Sequence, residues 1–189
     1  DHDPAAGLIQ LLAVLDQRAT SVSITCSHCS SLGLASERLQ RRICEQLARH
    51  RVDVVALPLT NGWLLGRQGE TTPIVKPLAP IRALQRAGVT VAVGADNLAD
   101  PWFPAGDLDP LSLMASALPL TQLAPWQRLG LAPFTTAASA LMRLDWSGLL
   151  EEGAPADLLL VRASSWSEAL RRPRRQILIA GRWWSDASG

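Results

Sequence analysis

Three short apolar runs, starting near residues 21, 53 and 89, constrain the fold of this chain more than any other feature. Ser21-Val-Ser-Ile-Thr-Cys-Ser-His28, Val52-Asp-Val-Val-Ala-Leu57 and Val89-Thr-Val-Ala-Val93 each read as a strand, with a helix-patterned segment between successive runs. Their spacing of about 30 to 35 residues is the length of one βα unit. Near-continuous β-branched runs predict strands covered on both faces, hence a parallel sheet. Periodicity does not separate an open doubly wound sheet from part of a barrel, but both gather their working groups at the carboxyl ends of the strands.

The connecting segments support this reading. After Asp3-Pro4, a cap followed by a helix-starting proline, Leu8, Leu11, Leu12 and Leu15 predict a helix over Pro4 to Gln17. In the first strand, alternation puts Val22, Ile24, Cys26 and His28 on one face. Ser36 to His50 is amphipathic, with Leu39, Ile43 and Leu47 inward and Glu37, Arg41, Arg42, Glu45 and Arg49 outward. Thr60 to Pro77 has no strong period and reads as a loop, whereas Leu78 to Ala87 reads as a helix ended by Gly88.

Residues 110 to 143 form helical segments punctuated by Pro119, Pro125 and Pro133, including an Ala-rich helix from Pro133 to Leu144. Beyond Gly153-Ala-Pro155, the runs Ala156–Val161, Gln176–Ala180 and Arg182–Trp184 predict a small antiparallel sheet separate from the βα core. Arg171 to Arg175 reads as a solvated turn. The domain boundary is expected near residue 150, giving parts 1–150 and 151–189.

Composition removes several classes of function. The 189 residues, 48% hydrophobic and 19% charged, suffice for one core. Eighteen basic against 17 acidic residues leave no global field to attract nucleic acid or an anionic membrane. No apolar run reaches the roughly 18 residues of a membrane helix. Three sparse cysteines, Cys26, Cys29 and Cys44, argue against a disulfide scaffold and for a reducing compartment, the cytoplasm. No G-x-G-x-x-G or P-loop follows a strand, which disfavours phosphate binding.

His28 and Asp96 each follow directly on a predicted strand. Singly, His28 reads as a core histidine, and Asp96-Asn97 is open to either a functional role or a turn or helix cap. Together they suit metal-dependent hydrolysis, in which a neutral imidazole and a carboxylate converge on one ion and its water. Trp102 and Phe103, in Asp100-Pro-Trp-Phe-Pro104, are expected either to wall a flat pocket over the same strand end or to tuck onto the core. Trp126, Trp146, Trp166, Trp183 and Trp184 are assigned to packing. Cys26-Ser27-His28-Cys29 is a C-x-x-C that lacks both the helix amino terminus of a redox motif and the second ligand pair of a structural zinc site. Cys44 reads as buried filler, and His50, between Arg49 and Arg51, as an exposed cation.

Thr25-Cys-Ser-His28 together with Val93-Gly-Ala-Asp96-Asn97-Leu-Ala-Asp100-Pro-Trp-Phe-Pro104 resembles the cytosine deaminase branch of the amidohydrolase superfamily. Members carry a Ser-His ending the sixth barrel strand and a Gly-x-Asp-Asp/Asn-x-x-Asp-Pro-Trp segment ending the eighth. Leu57-Pro-Leu-Thr-Asn-Gly-Trp-Leu-Leu-Gly-Arg67 looks like their seventh-strand loop, and Gly153-Ala-Pro-Ala-Asp157-Leu their return to a small β-sandwich. The resemblance implies an α/β fold: strands six to eight of a distorted (β/α)8 TIM barrel, followed by sandwich strands.

It also implies one divalent metal ion, zinc or iron, activating water to attack a ring carbon of a cyclic amidine and expel ammonia. Asp96 would be a metal ligand and take a proton from that water. His28 would contact the developing hydroxide or the substrate, and Asn97 and Trp102 would line the pocket for a small heterocycle. Many relatives have Asp at the position of Asn97. The family's His-x-His pair, fifth-strand His and Glu proton shuttle are absent from the sequence, so they are expected upstream, with Asp1-His2-Asp3-Pro4 as the tail of the fifth-strand motif. The expected partner is therefore the amino-terminal half of the same enzyme, with homo-oligomerisation possible and no activity from the 189 residues alone. The alternative is a standalone binding module without chemistry.

Overall fold

The computed structural model describes residues 4–67, 69–171 and 173–184. In chain order the first elements are α1 (Ala6–Gln17), β1 (Thr25–Ser27), a 3-10 turn (Ser30–Leu34), α2 (Glu37–Arg49), β2 (Asp53–Ala56), α3 (Pro58–Leu64), α4 (Ile81–Ala87) and β3 (Val91–Val93). The three apolar runs pair as a parallel sheet in the order β1-β2-β3, with Cys26 opposite Val54 and Ala56 opposite Val93. Leu12, Ile43, Leu47 and Leu84, from three helices, join Val54, Ala56, Val91 and Val93 in one buried cluster. Burying each such side chain contributes about 1.5–3 kcal/mol. The opposite sheet face carries Thr25 and Ser27 exposed, Val55 half-buried and Ala92 buried. Cover on both faces is thus complete at β3 and lost toward β1.

Local chemistry accounts for the best-formed helix. Ser36 Oγ accepts the Leu39 N–H at the start of α2, and the Gln40 side chain donates to the carbonyls of Gly33 and Ala35. Gly88, at φ +91, closes α4 in the left-handed conformation. His50 is not exposed. Its Nε2 lies 2.8 Å from Asp16 Oδ1, the oxygen that also receives Arg49, so the end of α2 is tied to α1.

Three boundaries differ from the sequence reading. The first strand spans only Thr25–Ser27, because β2 starts at Asp53 and offers no partner to Ser21–Ser23; Val22 is exposed. The stretch read as a loop from Thr60 begins inside α3, started by Pro58 at its first turn. Thr60, Asn61 and Gly62 are all buried there, so no amphipathic period marks the helix. Helix α4 starts at Ile81 rather than Leu78, since Pro80 disfavours helical backbone at the residue before it. Residues 1–3, which are all of the expected motif tail except Pro4, lie outside the described residues.

The later part contains α5 (Pro110–Thr121), α6 (Arg128–Leu131), a 3-10 turn (Ala132–Phe134), α7 (Thr136–Met142), β4 (Leu158–Val161), α8 (Trp166–Ala169), β5 (Arg175–Ile179) and β6 (Arg182–Trp184). Pro119 lies inside α5 near its end, and Pro133 in the 3-10 turn, which leaves α7 shorter than expected. The last three strands form an antiparallel sheet in the order β4-β5-β6. Ala180 and Gly181, both at positive φ, make its two-residue hairpin turn, and Asp157 Oδ1 accepts the Ala180 N–H at 2.6 Å.

Arg175 is not a turn residue. It opens β5 and places Nη1 2.5 Å from Asp109 Oδ2, joining the antiparallel sheet to the start of α5; Arg172 lies outside the described residues. Trp126, Trp183 and Trp184, expected in packing, are about 59 to 60% exposed, because no neighbouring element among the described residues covers them. Among the described residues no helix is long and apolar enough to cross a membrane.

Candidate active site

The carboxyl ends of the three parallel strands carry the polar residues that the βα pattern singled out. His28 leaves β1 at φ +64 and Cys29 follows at φ +49, so two left-handed residues turn the chain sharply at the strand end. The turn is anchored by the His28 N–H, which donates to Val55 O at 2.9 Å. His28 Nδ1 lies 3.0 Å from Nδ2 of Asn61, a residue only 4% exposed on α3. An amide nitrogen only donates, so Nδ1 accepts and the neutral ring carries its proton on Nε2. Asn61 Oδ1 is buried without a partner among the described residues, leaving an acceptor available next to the imidazole.

Asp96 stands after β3 in the same kind of position. Gly94 N donates to Ala56 O at 3.0 Å, which carries the β2–β3 pairing one residue past the strand, and a Cβ at Gly94 would meet the flexible end of Leu57, Cδ2, at 2.9 Å. Asp96 adopts φ +67 and is exposed; its carboxylate makes no hydrogen bond or ion pair among the described residues. Left-handed non-glycine backbone costs of order 1–3 kcal/mol and clusters at functional sites.

The segment after Asp96 is organised by Asp100. Asn97 Nδ2 donates to Asp100 Oδ2 at 2.6 Å, and Asp100 Oδ1 accepts the N–H groups of Trp102 and Phe103, each at 2.9 Å. The Asn97 amide, then the Phe103 and Trp102 N–H groups, hold the Asp100 carboxyl below the usual carboxylate range. Gly106 lets this loop return against the Asn97 carbonyl, which any Cβ would strike. Asn97 is therefore half-buried with one amide N–H committed to the loop, and Trp102 stands 59% exposed on it.

The part that sequence reasoning missed is α3. Thr60 Oγ1 accepts the Asn97 N–H at 3.4 Å while the adjacent Asn61 holds His28, so consecutive residues of one short helix brace the ends of β3 and β1. Available signals were Pro58 directly after a strand and an adjacent polar pair among apolar neighbours. Among the described residues no three His, Cys, Asp or Glu side chains form a ready metal cluster. The unpartnered Asp96 carboxylate fits one ligand position of a zinc or iron site, and oxygen and imidazole donors suit either ion.

The cysteines at this end differ in acidity. The Cys29 side chain hydrogen-bonds Cys26 and draws its thiol down to about 7 against the opposing effect of burial. The same contact, reinforced by burial, pushes Cys29 up. Cys44 is buried filler as expected, its thiol raised to about 11 by burial.

The chain resembles known proteins along most of its length. Residues 5–181 match the family model of the amidohydrolase family. The chain is 35% identical over 157 residues to pterin deaminase of Rhizobium rhizogenes (strain K84 / ATCC BAA-868), a match covering 82% of this chain and 36% of that protein. N-isopropylammelide isopropylaminohydrolase from Burkholderia multivorans ATCC 17616 aligns with a TM-score of 0.70 and 28% identity, over 95% of this chain and 43% of that one. For 5-methylcytosine deaminase from Klebsiella pneumoniae liganded with 5-fluorocytosine the TM-score is 0.80 at 24% identity, over 97% of this chain and 45% of that one. The chain spans less than half the length of each of these relatives.

Proposed function

The chain belongs to the amidohydrolase family, and from that premise we propose that it forms the later part of a metal-dependent deaminase acting on a cyclic amidine. The observation that carries this reading is the free, left-handed Asp96 carboxylate at the end of β3, braced through α3 to His28 at the end of β1. In this reading β1 to β3 are strands six to eight of the barrel within residues 1–150. Residues 151–189 belong to the small sandwich. The remaining metal ligands and the proton shuttle come from a segment outside these 189 residues, as the coverage of the relatives suggests.

Asp96 would hold a divalent ion, zinc or iron, which when bound would supply Lewis acidity and lower the pKa of a water. The Asp96 carboxylate would also serve as acceptor for the proton of the attacking water. His28, its Nδ1 fixed by Asn61, offers Nε2–H to the developing negative oxygen or to the substrate. The loop organised by Asn97 and Asp100 presents Trp102 to the face of the heterocycle, and ammonia leaves. The free thiols suit a reducing cytoplasmic setting.

The test uses the longest natural form of the protein that contains this chain, assayed for metal content and for ammonia release from cytosine, isocytosine, pterin and triazine rings. About one metal per chain is expected, with release from at least one ring. Asp96→Asn is expected to strip the metal and lower the rate by about 10² to 10⁴-fold. Full metal and rate in that variant would overturn the role of Asp96. Absence of turnover on every ring would support a binding module instead.

A further inference from the structure

We propose that Lys76 is a positioning residue: its ammonium clasps the carboxyl end of α3 and thereby keeps Asn61 against His28. The helix that joins the two strand ends has little to hold it by itself. It is seven residues long, contains Gly62 and starts without a side-chain cap. Thr60 and Asn61, which reach Asn97 and His28, sit directly before its last carbonyls. Such carbonyls lack partners within the helix. Here three in succession find one outside it. Asn61 O accepts the Leu65 N–H at 2.9 Å, Gly62 O accepts Lys76 Nζ at 2.8 Å, and Trp63 O accepts Arg67 Nε at 2.9 Å. The Arg67 guanidinium also lies over the Trp63 ring, 4.2 Å from its centroid. Both cations meet the negative end of the helix dipole.

The two cations reach the helix by different routes. Arg67 follows α3 within one turn, so its contact is local. Lys76, the only lysine in the sequence, comes from 14 residues beyond Gly62. A close backbone approach returns it there: at Gly66, φ +75, a Cβ would strike the Val75 carbonyl. Apolar packing does not hold this returning stretch, since Ile74 is 99% and Val75 58% exposed. The Lys76 bond therefore ties it to α3, one peptide from Asn61. Without that bond the end of α3 frays toward Asn61, and the amide loses its fixed distance to His28 Nδ1. The imidazole then gains its other neutral tautomer, which has no Nε2–H to donate. The consequence for turnover rests on the deaminase reading; the hold of Lys76 on the imidazole does not.

The longest natural form of the protein that contains this chain is labelled with nitrogen-15 histidine, and the His28 signals are assigned by their loss in His28→Gln. The unsubstituted protein is expected to show the Nε2–H tautomer alone. Lys76→Met is expected to show both neutral tautomers, with kcat lowered about 10-fold and KM changed less than about 2-fold. Lys76→Arg, which keeps a cation in reach of Gly62 O, is expected to restore both readouts. Ile74→Ser, in the same stretch, is expected to leave both as they were. Native His28 signals in folded Lys76→Met would overturn the proposal, whether or not any ring is deaminated. Equal changes in Ile74→Ser would also overturn it, because any disturbance of the stretch would then suffice. Where the methionine variant does not fold, Lys76→Gln is read in the same way: mixed tautomers support the clasp, and native signals overturn it.

Discussion

Among the described residues, the two sheets end in opposite surroundings. Val91, Ala92 and Val93 of β3 are all buried, while Arg182, Trp183 and Trp184 of β6 are all exposed. The parallel strands alternate with helices, so each strand brings its own cover with it. The antiparallel strands follow one another through a hairpin turn and the single-turn α8, which leaves Leu160, Ile177 and Ile179 substantially open. The lesson is that apolar sequence determines what a strand can bury, and the connections between strands determine what it does bury.

The strongest test of this contrast is a pair of truncations. Leu84→Ala in α4 removes a side chain with no exposed surface and is expected to cost about 2–5 kcal/mol in urea unfolding. Trp184→Ala, although it deletes a larger group, is expected to stay within about 0.5 kcal/mol. Equal costs would break the comparison.

Next in size is Asp109→Ala. It removes both the cap on the Leu111 N–H and the partner of Arg175, for an expected loss of about 1–2 kcal/mol. Amide exchange is expected to speed up in β4 to β6 and in the first turn of α5, with β1 to β3 unaffected. The same pair predicts a pH dependence. Burial pushes the Asp109 carboxyl up, but Arg175 and the α5 N–H groups outweigh it and leave the carboxyl below the ordinary range. A lowered folded-state value means its contribution is present above the unfolded carboxylate value, about 3.9, and is lost as pH falls through the folded one. Acid exchange measurements in Arg175→Gln are expected to lose most of that dependence. The smallest effect concerns the brace at the site: Asn61→Leu is expected to let His28 populate both neutral tautomers, read from nitrogen-15 shifts, with the parallel sheet intact.

Much of this architecture was legible in the residues. The Gly88 cap and the leucine spacing of α1 and α2 are local signals, and they stand where the pattern put them. His28 and Asp96 were found because strand ends can be counted. Helix α3 was not legible, since a helix that buries Thr60 and Asn61 presents no apolar stripe. Nor was the role of Arg175, whose partner lies 66 residues away.

The sequence by itself determined most of the elements and their order, α3 and α8 apart, and which polar residues stand at strand carboxyl ends, because dihedral preference, capping and periodicity act within a few residues. Only the tertiary structure decided that Asn61 meets His28 across 33 residues and that Thr60 meets Asn97 across 37. Hydrogen bonds require contact within about 3 Å and the right direction. Those distances are set by how the packed sheet and α3 bring separate turns together.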